Sequence, residues 1–221
     1  EIVNKSISSF DFVEKLAKDK NNISSGNIKI GCPSHFTSYF LMKKIEQVKK
    51  DFPELDVTII CEVDINKMID LLQNHEIDFA IIDAQIEKNN IETEELLTID
   101  NIFVSKAPLT ITDIKEIEKL NCILNLENTR ATKQLKELLK KYDINIKADM
   151  MCDATEVRVE AVKRNMGIAY VIKEAVKKEL ENKELYEVEL PIELPKIKLN
   201  LVHLKGELTK FDKKFIKEYL K

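Results

Sequence analysis

The chain has 221 residues, of which 44% are hydrophobic and 33% are charged, and its formal net charge is −4. This composition is ordinary for a globular protein, and the acidic balance argues against a face that binds the phosphate backbone of a nucleic acid. No apolar run approaches the ~20 residues that a membrane-spanning helix needs, and the first residues lack the charged and apolar regions of a signal peptide. We therefore expect a cytoplasmic protein without a membrane segment.

The first part of the chain predicts a helix over 1–23 and then a unit in which strands and helices alternate. Apolar residues at helical spacing mark the helices, and short β-branched runs mark the strands. The predicted elements of this unit are a strand at 27–32, a helix at 36–51, a strand at 57–62, a helix at 66–74 and a strand at 78–82. The acidic run that follows at 92–95 is interpreted as a solvated helix or loop surface.

The second part of the chain repeats this layout after a strand at 102–105 and a crossing segment at 106–108. Its predicted elements are a helix at 113–120, a strand at 122–126, a helix at 131–142, a strand at 146–152, a helix at 155–165, a strand at 168–172 and a helix at 173–180. An extended run at 185–195 leads to a strand at 198–205, which we interpret as the return crossing, and to a final helix at 208–221.

Strands that alternate with helices at this spacing favour parallel sheets with right-handed crossovers. The predicted fold class is α/β, with two Rossmann-like lobes joined by two crossover strands. The first lobe comprises 24–105 and 196–221, and the second comprises 106–195. In open α/β sheets a ligand binds outside the carboxyl ends of the strands, so the sequence predicts a cleft lined by the polar turns of both lobes.

Several of these polar turns open helices. The turn PSHFT brings backbone N–H groups and hydroxyl groups together, and the turn ENTR adds a guanidinium group. Helix N-termini favour anions, which makes Ser34, Thr129 and Arg130 candidate ligand contacts. The alternative is that Ser34 and Thr129 are only N-caps, each stabilising its helix by about 1 kcal/mol. Thr155 stands at a third helix entry, where N-capping is the first interpretation and ligand contact the second.

The four cysteines, Cys32, Cys61, Cys122 and Cys152, lie in or at the ends of apolar runs, and none has CxxC spacing. That pattern fits reduced, buried thiols better than a disulfide framework. Cys32 and His35 nevertheless form a CxxH pair at a strand-to-helix turn, where a helix N-terminus lowers the pKa of a thiol. A nucleophilic role for Cys32, and a redox or metal role together with Cys152, stay open at this point.

Glycine is scarce, with four residues in the whole chain, and their positions allow neither GxGxxG nor GxxxxGK[ST]. The dinucleotide-binding and P-loop classes are therefore excluded, because both need such a loop to approach phosphate groups. We expect no cofactor and no metal.

Four motifs in chain order resemble one known family. They are 26–31 (GNIKIG) with the turn 33–35, the helix end at 48–53, the run 74–81 (NHEIDFAI) and the run 162–172 (VKRNMGIAYVI). Together they resemble the effector-binding domain of LysR-type transcriptional regulators, which has the type II periplasmic-binding-protein fold. Asn74 or His75 stands where the family has Gly, Asn165 replaces another Gly, and Ile172 replaces a Pro.

The resemblance covers 24–221, and residues 1–23 resemble the end of the family's linker helix. It implies that the winged helix-turn-helix lies outside this chain, that DNA is bound only through that domain, and that the protein forms a homodimer or a higher homo-oligomer. The family's effectors bind between the lobes and contact three turns. Those turns correspond to Ser34, His35, Asn128, Thr129, Arg130, Asp153 and Thr155.

The leading hypothesis is therefore a regulatory domain that senses a small, anionic effector and has no catalytic residues. The rival hypothesis is a cytoplasmic enzyme on the same two-lobed scaffold with Cys32 as nucleophile. A transport binding protein, the third alternative, would need an export signal that the sequence does not show.

Overall fold

The computed structural model describes residues 27–221, which form two compact units. Of the described residues, those from 27 to 97 and the segment Lys198–Lys221 form the first unit, and Thr98–Ile197 is the second unit. The chain thus passes from the first unit to the second once and returns once, with both crossings inside strands. The helix expected over 1–23 lies outside the described residues.

The strands and helices of the described range are numbered in chain order. The strands are β1 Asn27–Gly31, β2 Asp56–Ile60, β3 Phe79–Ile82, β4 Ile91–Ser105, β5 Cys122–Leu124, β6 Ala148–Met151, β7 Ile168–Ile172, β8 Tyr186–Glu187 and β9 Lys196–Leu204. The helices are α1 at 34–51, α2 Ile65–Gln73, α3 Arg130–Lys140, α4 Thr155–Lys163, α5 Lys177–Glu181 and α6 Lys210–Phe215. Helix α1 contains a π-helical turn at Thr37–Leu41, and α6 continues as a π-helical turn at Ile216–Leu220.

The sheet of the first unit has the strand order β2-β1-β3-β9-β4. Strand β1 runs parallel to both β2 and β3, whereas β9 is antiparallel to β3. All four residues of β3, FAII, are buried, as expected for a central strand covered on both faces. Helix α2 covers one face by packing Met68, Ile69 and Leu72 into a cluster with Ile82.

The sheet of the second unit has the order β4-β7-β5-β6, and the short β8 pairs with β4. Strand β5 is parallel to β6 and β7, and β4 is antiparallel to β7. Helix α3 buries Leu135 and Leu139 in one cluster, while α4 buries Val159 and Val162 in another. The two clusters give this sheet an apolar core on each face, which is why its strands read as continuous apolar runs.

Three elements differ in extent or in helix type from the sequence-based prediction. The strand predicted at 102–105 is the end of the long strand β4, so the acidic run at 92–95 is strand and not helix or loop. Its charged side chains are exposed: Glu95 pairs with Lys198 at 2.8 Å, Glu94 pairs with Lys221, and Glu92 lies 3.7 Å from Nε2 of His203. The helices predicted at 113–120 and 173–180 are short 3-10 turns at Ile114–Lys119 and Lys173–Val176, the second continuing into α5.

Candidate functional site

The polar turns lie at the carboxyl ends of parallel strands in both units. In the first unit, β1 lies between β2 and β3, so the turn after β1 is central on that edge. In the second unit, β5 lies between β6 and β7, so the turns after β5 and β6 are neighbours. The fold therefore brings the predicted contacts at 128–130 and 153–155 to one edge of the second unit. Ser34 and His35 lie at the corresponding edge of the first unit.

Ser34 is the first helical residue of α1 and not its N-cap. Pro33 occupies the N-cap position with an extended backbone (φ −53°, ψ 143°), and no side chain caps this helix end. The carbonyl oxygen of Pro33 accepts a hydrogen bond from the N–H of Thr37 at 2.9 Å. The side chain of Ser34 is exposed, while the half-buried ring of His35 packs on Phe36 with 4.0 Å between centroids. The N-cap interpretation of Ser34 is wrong.

The turn after β2 is closed by its own carboxylates. One oxygen of Glu62 accepts hydrogen bonds from the N–H groups of Val63 and Asp64, both at 2.8 Å. Asp64 caps α2 by accepting from the N–H groups of Asn66 and Lys67 at 2.8 and 3.2 Å. The N-terminus of α2 is thus occupied by a protein carboxylate, and Val63 is left 71% exposed beside it. This turn presents an apolar contact and no anion-binding groups.

Thr129 organises the turn after β5. It stands at the N-cap position of α3, yet its side chain does not cap the helix. Its hydroxyl oxygen lies 2.8 Å from the carbonyl oxygen of Leu126 and 3.0 Å from Oγ1 of Thr132. Thr132 in turn donates to the carbonyl oxygen of Asn125 at 3.2 Å. Asn128 and Arg130 are exposed on either side of Thr129, so a rigid turn presents an amide and a guanidinium group.

The Thr132→Val substitution tests how strongly this turn is held. Thr132 is buried, and valine would keep its shape but remove its hydrogen bonds to the Thr129 hydroxyl and to the carbonyl oxygen of Asn125. We expect the free energy of unfolding, measured by urea denaturation, to fall by about 1–2 kcal/mol. Thr112→Val is the control, because Thr112 is exposed and makes a single bond to Glu116. Equal stability of both variants would show that the hydroxyl bonds do not hold the turn.

The turn after β6 leads into α4, whose N-cap position is taken by Ala154. Thr155 is the first helical residue and is buried, so the N-cap interpretation of Thr155 is wrong. Its hydroxyl oxygen accepts a hydrogen bond from Nη2 of Arg158 at 2.9 Å. Asp153 is exposed just before the helix.

Arg158 is a candidate site residue that the sequence-based prediction missed. It is only 4% exposed, although arginine is rarely buried to that extent. Its guanidinium group lies in the first turn of α4, so two sources of positive potential coincide at this helix entry. Arg164 on the same helix is exposed and pairs with Glu160 at 2.8 Å. The sequence does indicate that Arg158 faces the protein interior, because Thr155 and the apolar Val162 lie three and four positions away and share its helix face.

Cys32 lacks the lowered pKa and the accessibility of a catalytic nucleophile. It is fully buried, and this burial raises its pKa to about 12, so the thiol stays protonated at neutral pH. The interpretation of Cys32 and His35 as an activated pair is therefore not supported. Among residues 27–221, no group of three or more His, Cys, Asp and Glu side chains is arranged to hold a metal ion. Nor is any helix in that part of the chain long and apolar enough to cross a membrane.

Exposed apolar side chains accompany the polar groups on both edges. Leu126 follows β5 with 38% exposure, and Met151 ends β6 with 47% exposure. In the first unit, Val63 is joined by Ile65, which is 37% exposed. A ligand at either edge would therefore meet hydrogen-bonding groups beside apolar ones, which is the composition of small-molecule sites.

Two α/β units joined by two chain crossings, each with polar turns at the carboxyl ends of parallel strands, define the type II periplasmic-binding-protein-like class of folds. The model of the LysR substrate binding domain matches residues 21–220 of this chain. The chain belongs to that family, and the resemblance seen in the sequence is confirmed.

Two curated relatives carry the same name, "Probable RuBisCO transcriptional regulator". The protein from Cyanidium caldarium is 23% identical over 182 residues, which cover 76% of this chain and 56% of the relative. The protein from Synechocystis is 23% identical over 219 residues, which cover 93% of this chain and 63% of the relative. The chain therefore spans less than two thirds of the length of either relative.

Similar solved structures support the fold class. The cofactor-binding domain of the Cbl transcriptional regulator has a TM-score of 0.75 at 17% identity, covering 89% of this chain and 88% of that one. The Synechocystis CcmR regulatory domain in complex with 2-PG has a TM-score of 0.73 at 14% identity, with 89% and 96% covered. The effector-binding domain of QuiR in complex with shikimate has a TM-score of 0.70 at 16% identity, also with 89% and 96% covered. At these identities the likeness establishes the fold alone, and the predicted α/β fold class is confirmed.

Proposed function

We propose that this chain is the effector-sensing domain of a LysR-type transcriptional regulator and that its effector is a small anion. Membership of the family and the regulatory names of the relatives support the first part. The buried Arg158 at the entry of α4 carries the second part, because a guanidinium group and a helix N-terminus both favour a negative group at the same place.

The residues proposed to contact the effector are the polar side chains of three turns. Ser34 and His35 offer a hydroxyl and an imidazole at the edge of the first unit. After β5, Asn128, Thr129 and Arg130 offer an amide, a hydroxyl and a guanidinium group. After β6, Asp153 and Thr155 offer a carboxylate and a hydroxyl. Arg158 joins this set through its bond to Thr155. The shikimate bound by QuiR and the 2-PG bound by CcmR are small molecules, which agrees with this size class.

The DNA-binding part of such a regulator is proposed to lie outside this chain, since the chain spans only 56% and 63% of the two relatives. We propose that the domain forms a homodimer, acts in the cytoplasm and has no catalytic activity of its own. The raised pKa of Cys32 and the regulatory names of the relatives both favour this function over the enzyme hypothesis.

A thermal-shift screen with small anions tests the proposal. Phosphate esters, small carboxylates and sulfate are the probes, and one class is expected to raise Tm, since a ligand at 100 times its Kd stabilises by about 2.7 kcal/mol. The Arg130→Ala variant is expected to lose most of that shift. Arg164→Ala is the matched control, because Arg164 is exposed and away from the helix entry.

An undiminished shift in Arg130→Ala would contradict the role of Arg130. A Tm unchanged by all of these anions would contradict the anionic class while leaving the sensing function in place.

A further inference from the structure

Two cysteines lie side by side at the carboxyl ends of β1 and β2. These strands are parallel and in register from Asn27 opposite Asp56 to Gly31 opposite Ile60. Cys32 directly follows Gly31 and Cys61 directly follows Ile60, so the same register places the two cysteines opposite each other. The ladder still holds there, because the N–H of Cys32 donates to the carbonyl oxygen of Ile60 at 3.0 Å.

Their side chains lie on the same face of the sheet. Successive residues of a strand alternate between faces, and residues opposite each other share a face. Cys32 therefore follows Ile28 and Ile30 on that face, and Cys61 follows Ile59. Neighbouring strands lie ~4.7–4.9 Å apart, which is within the range of Cα separations that a disulfide spans.

The hydroxyl group of Thr37 contacts both of these cysteines. Its Oγ1 donates to the carbonyl oxygen of Cys32 at 3.1 Å and lies 3.9 Å from Sγ of Cys61. One buried side chain thus touches both cysteines, beneath the turn that carries Ser34.

The two thiols differ in access. Cys61 is exposed, so a reagent in solution can reach it, whereas Cys32 is fully buried. Burial raises the pKa of Cys32 to about 12, and the nearby Cys61 thiol adds to the effect. The exposed Cys61 therefore reacts with the reagent first, and the buried Cys32 can then react with Cys61.

We propose that Cys32 and Cys61 form a reversible disulfide by exchange with a low-molecular-weight disulfide. The Cys61 thiolate attacks one sulfur of that molecule, forming a mixed disulfide and releasing one small thiolate. Cys32 then loses its proton, and its sulfur attacks Sγ of Cys61, breaking the mixed disulfide and releasing the second small thiolate. Two electrons pass from the protein thiols to the small disulfide, and the two thiol protons end on the two released thiols.

Oxidised glutathione is the probe that tests this pair. After incubation, the protein is quenched in acid, denatured, alkylated and mapped by mass spectrometry. The expected result is a loss of two of the four alkylatable thiols, with a crosslink between the peptides that carry Cys32 and Cys61. A dithiol reductant should restore both thiols. This mapping does not depend on effector binding. The disulfide can therefore be absent while the proposed function holds, and it can form even if the proposed function is wrong.

Cys122 and Cys152 are internal controls. Burial also raises the pKa of Cys122 to about 12, but the residues opposite it are Ala148 and Ile168. Neither cysteine should appear in a crosslink. The Cys32→Ser variant should stop at one glutathione on Cys61, and Cys61→Ser should take up none at Cys32.

Two outcomes would overturn the proposal. One is native protein that holds glutathione on Cys61 while Cys32 remains free, and the other is a crosslink from Cys61 to Cys122 or Cys152.

The rate of disulfide closure supplies a separate test that needs no variant. Because Cys32 attacks as the thiolate, closure of the mixed disulfide should accelerate about tenfold per pH unit below the pKa of Cys32. A closure rate independent of pH would rule out Cys32 as the attacking group.

Discussion

The Arg158→Met variant is expected to bind the anionic effector at least about 30-fold more weakly than the parent protein. Truncating one partner of a buried, hydrogen-bonded charge pair costs about 2–5 kcal/mol, and 1.4 kcal/mol corresponds to tenfold in Kd. Methionine retains the apolar stem of this buried side chain, so the helix face of α4 stays packed. The change removes the hydrogen bond between Arg158 and Thr155, which costs about 1 kcal/mol. The variant should therefore fold, with its free energy of unfolding lowered by about that amount.

Isothermal titration calorimetry with the anion found in the thermal-shift screen measures this change. Arg164→Met is the matched control, because Arg164 belongs to the same helix but is exposed and paired with Glu160. Its Kd should equal that of the parent. A folded Arg158→Met variant with the parent's Kd would show that Arg158 serves packing alone, through its bond to Thr155.

The Gly167→Ala variant is expected to lower the free energy of unfolding by about 3 kcal/mol or more. Gly167 precedes β7 with φ +152°, a conformation that residues with a side chain rarely adopt. A Cβ atom there would lie 2.2 Å from the carbonyl oxygen of Asn121, which is backbone and cannot rotate away. Strain of about 1–3 kcal/mol and a clash of similar size add in the same direction. Urea denaturation measures the loss.

Gly206→Ala separates the clash from the backbone strain. Gly206 also has a positive φ, +76°, but nothing lies within 4 Å of where its Cβ would be. Only the conformational cost remains, so we expect a loss of about 1 kcal/mol. If the two variants were equally stable, the approach of Asn121 to Gly167 would not be a constraint on this turn.

The short, fully buried strands were predictable from the sequence. Strands β3 and β7 are short, wholly apolar runs, and each is a buried strand. The edge at which polar turns meet was also predictable, because the carboxyl ends of parallel strands point the same way. The long β4 was not, because its charged residues obscure the apolar ones and its pairing partners are distant in sequence.

Side-chain partners in the site could not be predicted, since they depend on burial. Thr155 and Thr129 both follow the sequence pattern of an N-cap, but their hydroxyl groups bond to Arg158 and to the turn itself. The helical spacing of Arg158 and Val162 indicates a shared face, but the burial of Arg158 depends on how α4 packs against its sheet. The roles of Ser34, His35, Asn128, Arg130 and Asp153 in ligand contact stay predictions.

Two departures from the family's glycine pattern have a physical explanation. The resemblance gave Asn74 or His75 at one glycine position and Asn165 at another, and His75 and Asn165 have positive φ, at 57° and 60°. Among residues with a side chain, Asn and His are enriched in this left-handed region. Both residues therefore adopt a backbone conformation that glycine favours.

The insertion of the second unit into the first affects how the protein folds during synthesis. Residues 98–197 are contiguous, so this unit can close its sheet as soon as the ribosome has made it. The first unit cannot, because β9 lies between β3 and β4 in its sheet and is made about a hundred residues later. Until then the apolar β3 has an unpaired edge, the kind of surface that promotes aggregation. Synthesis therefore favours a nascent chain in which the inserted unit matures before the unit that surrounds it.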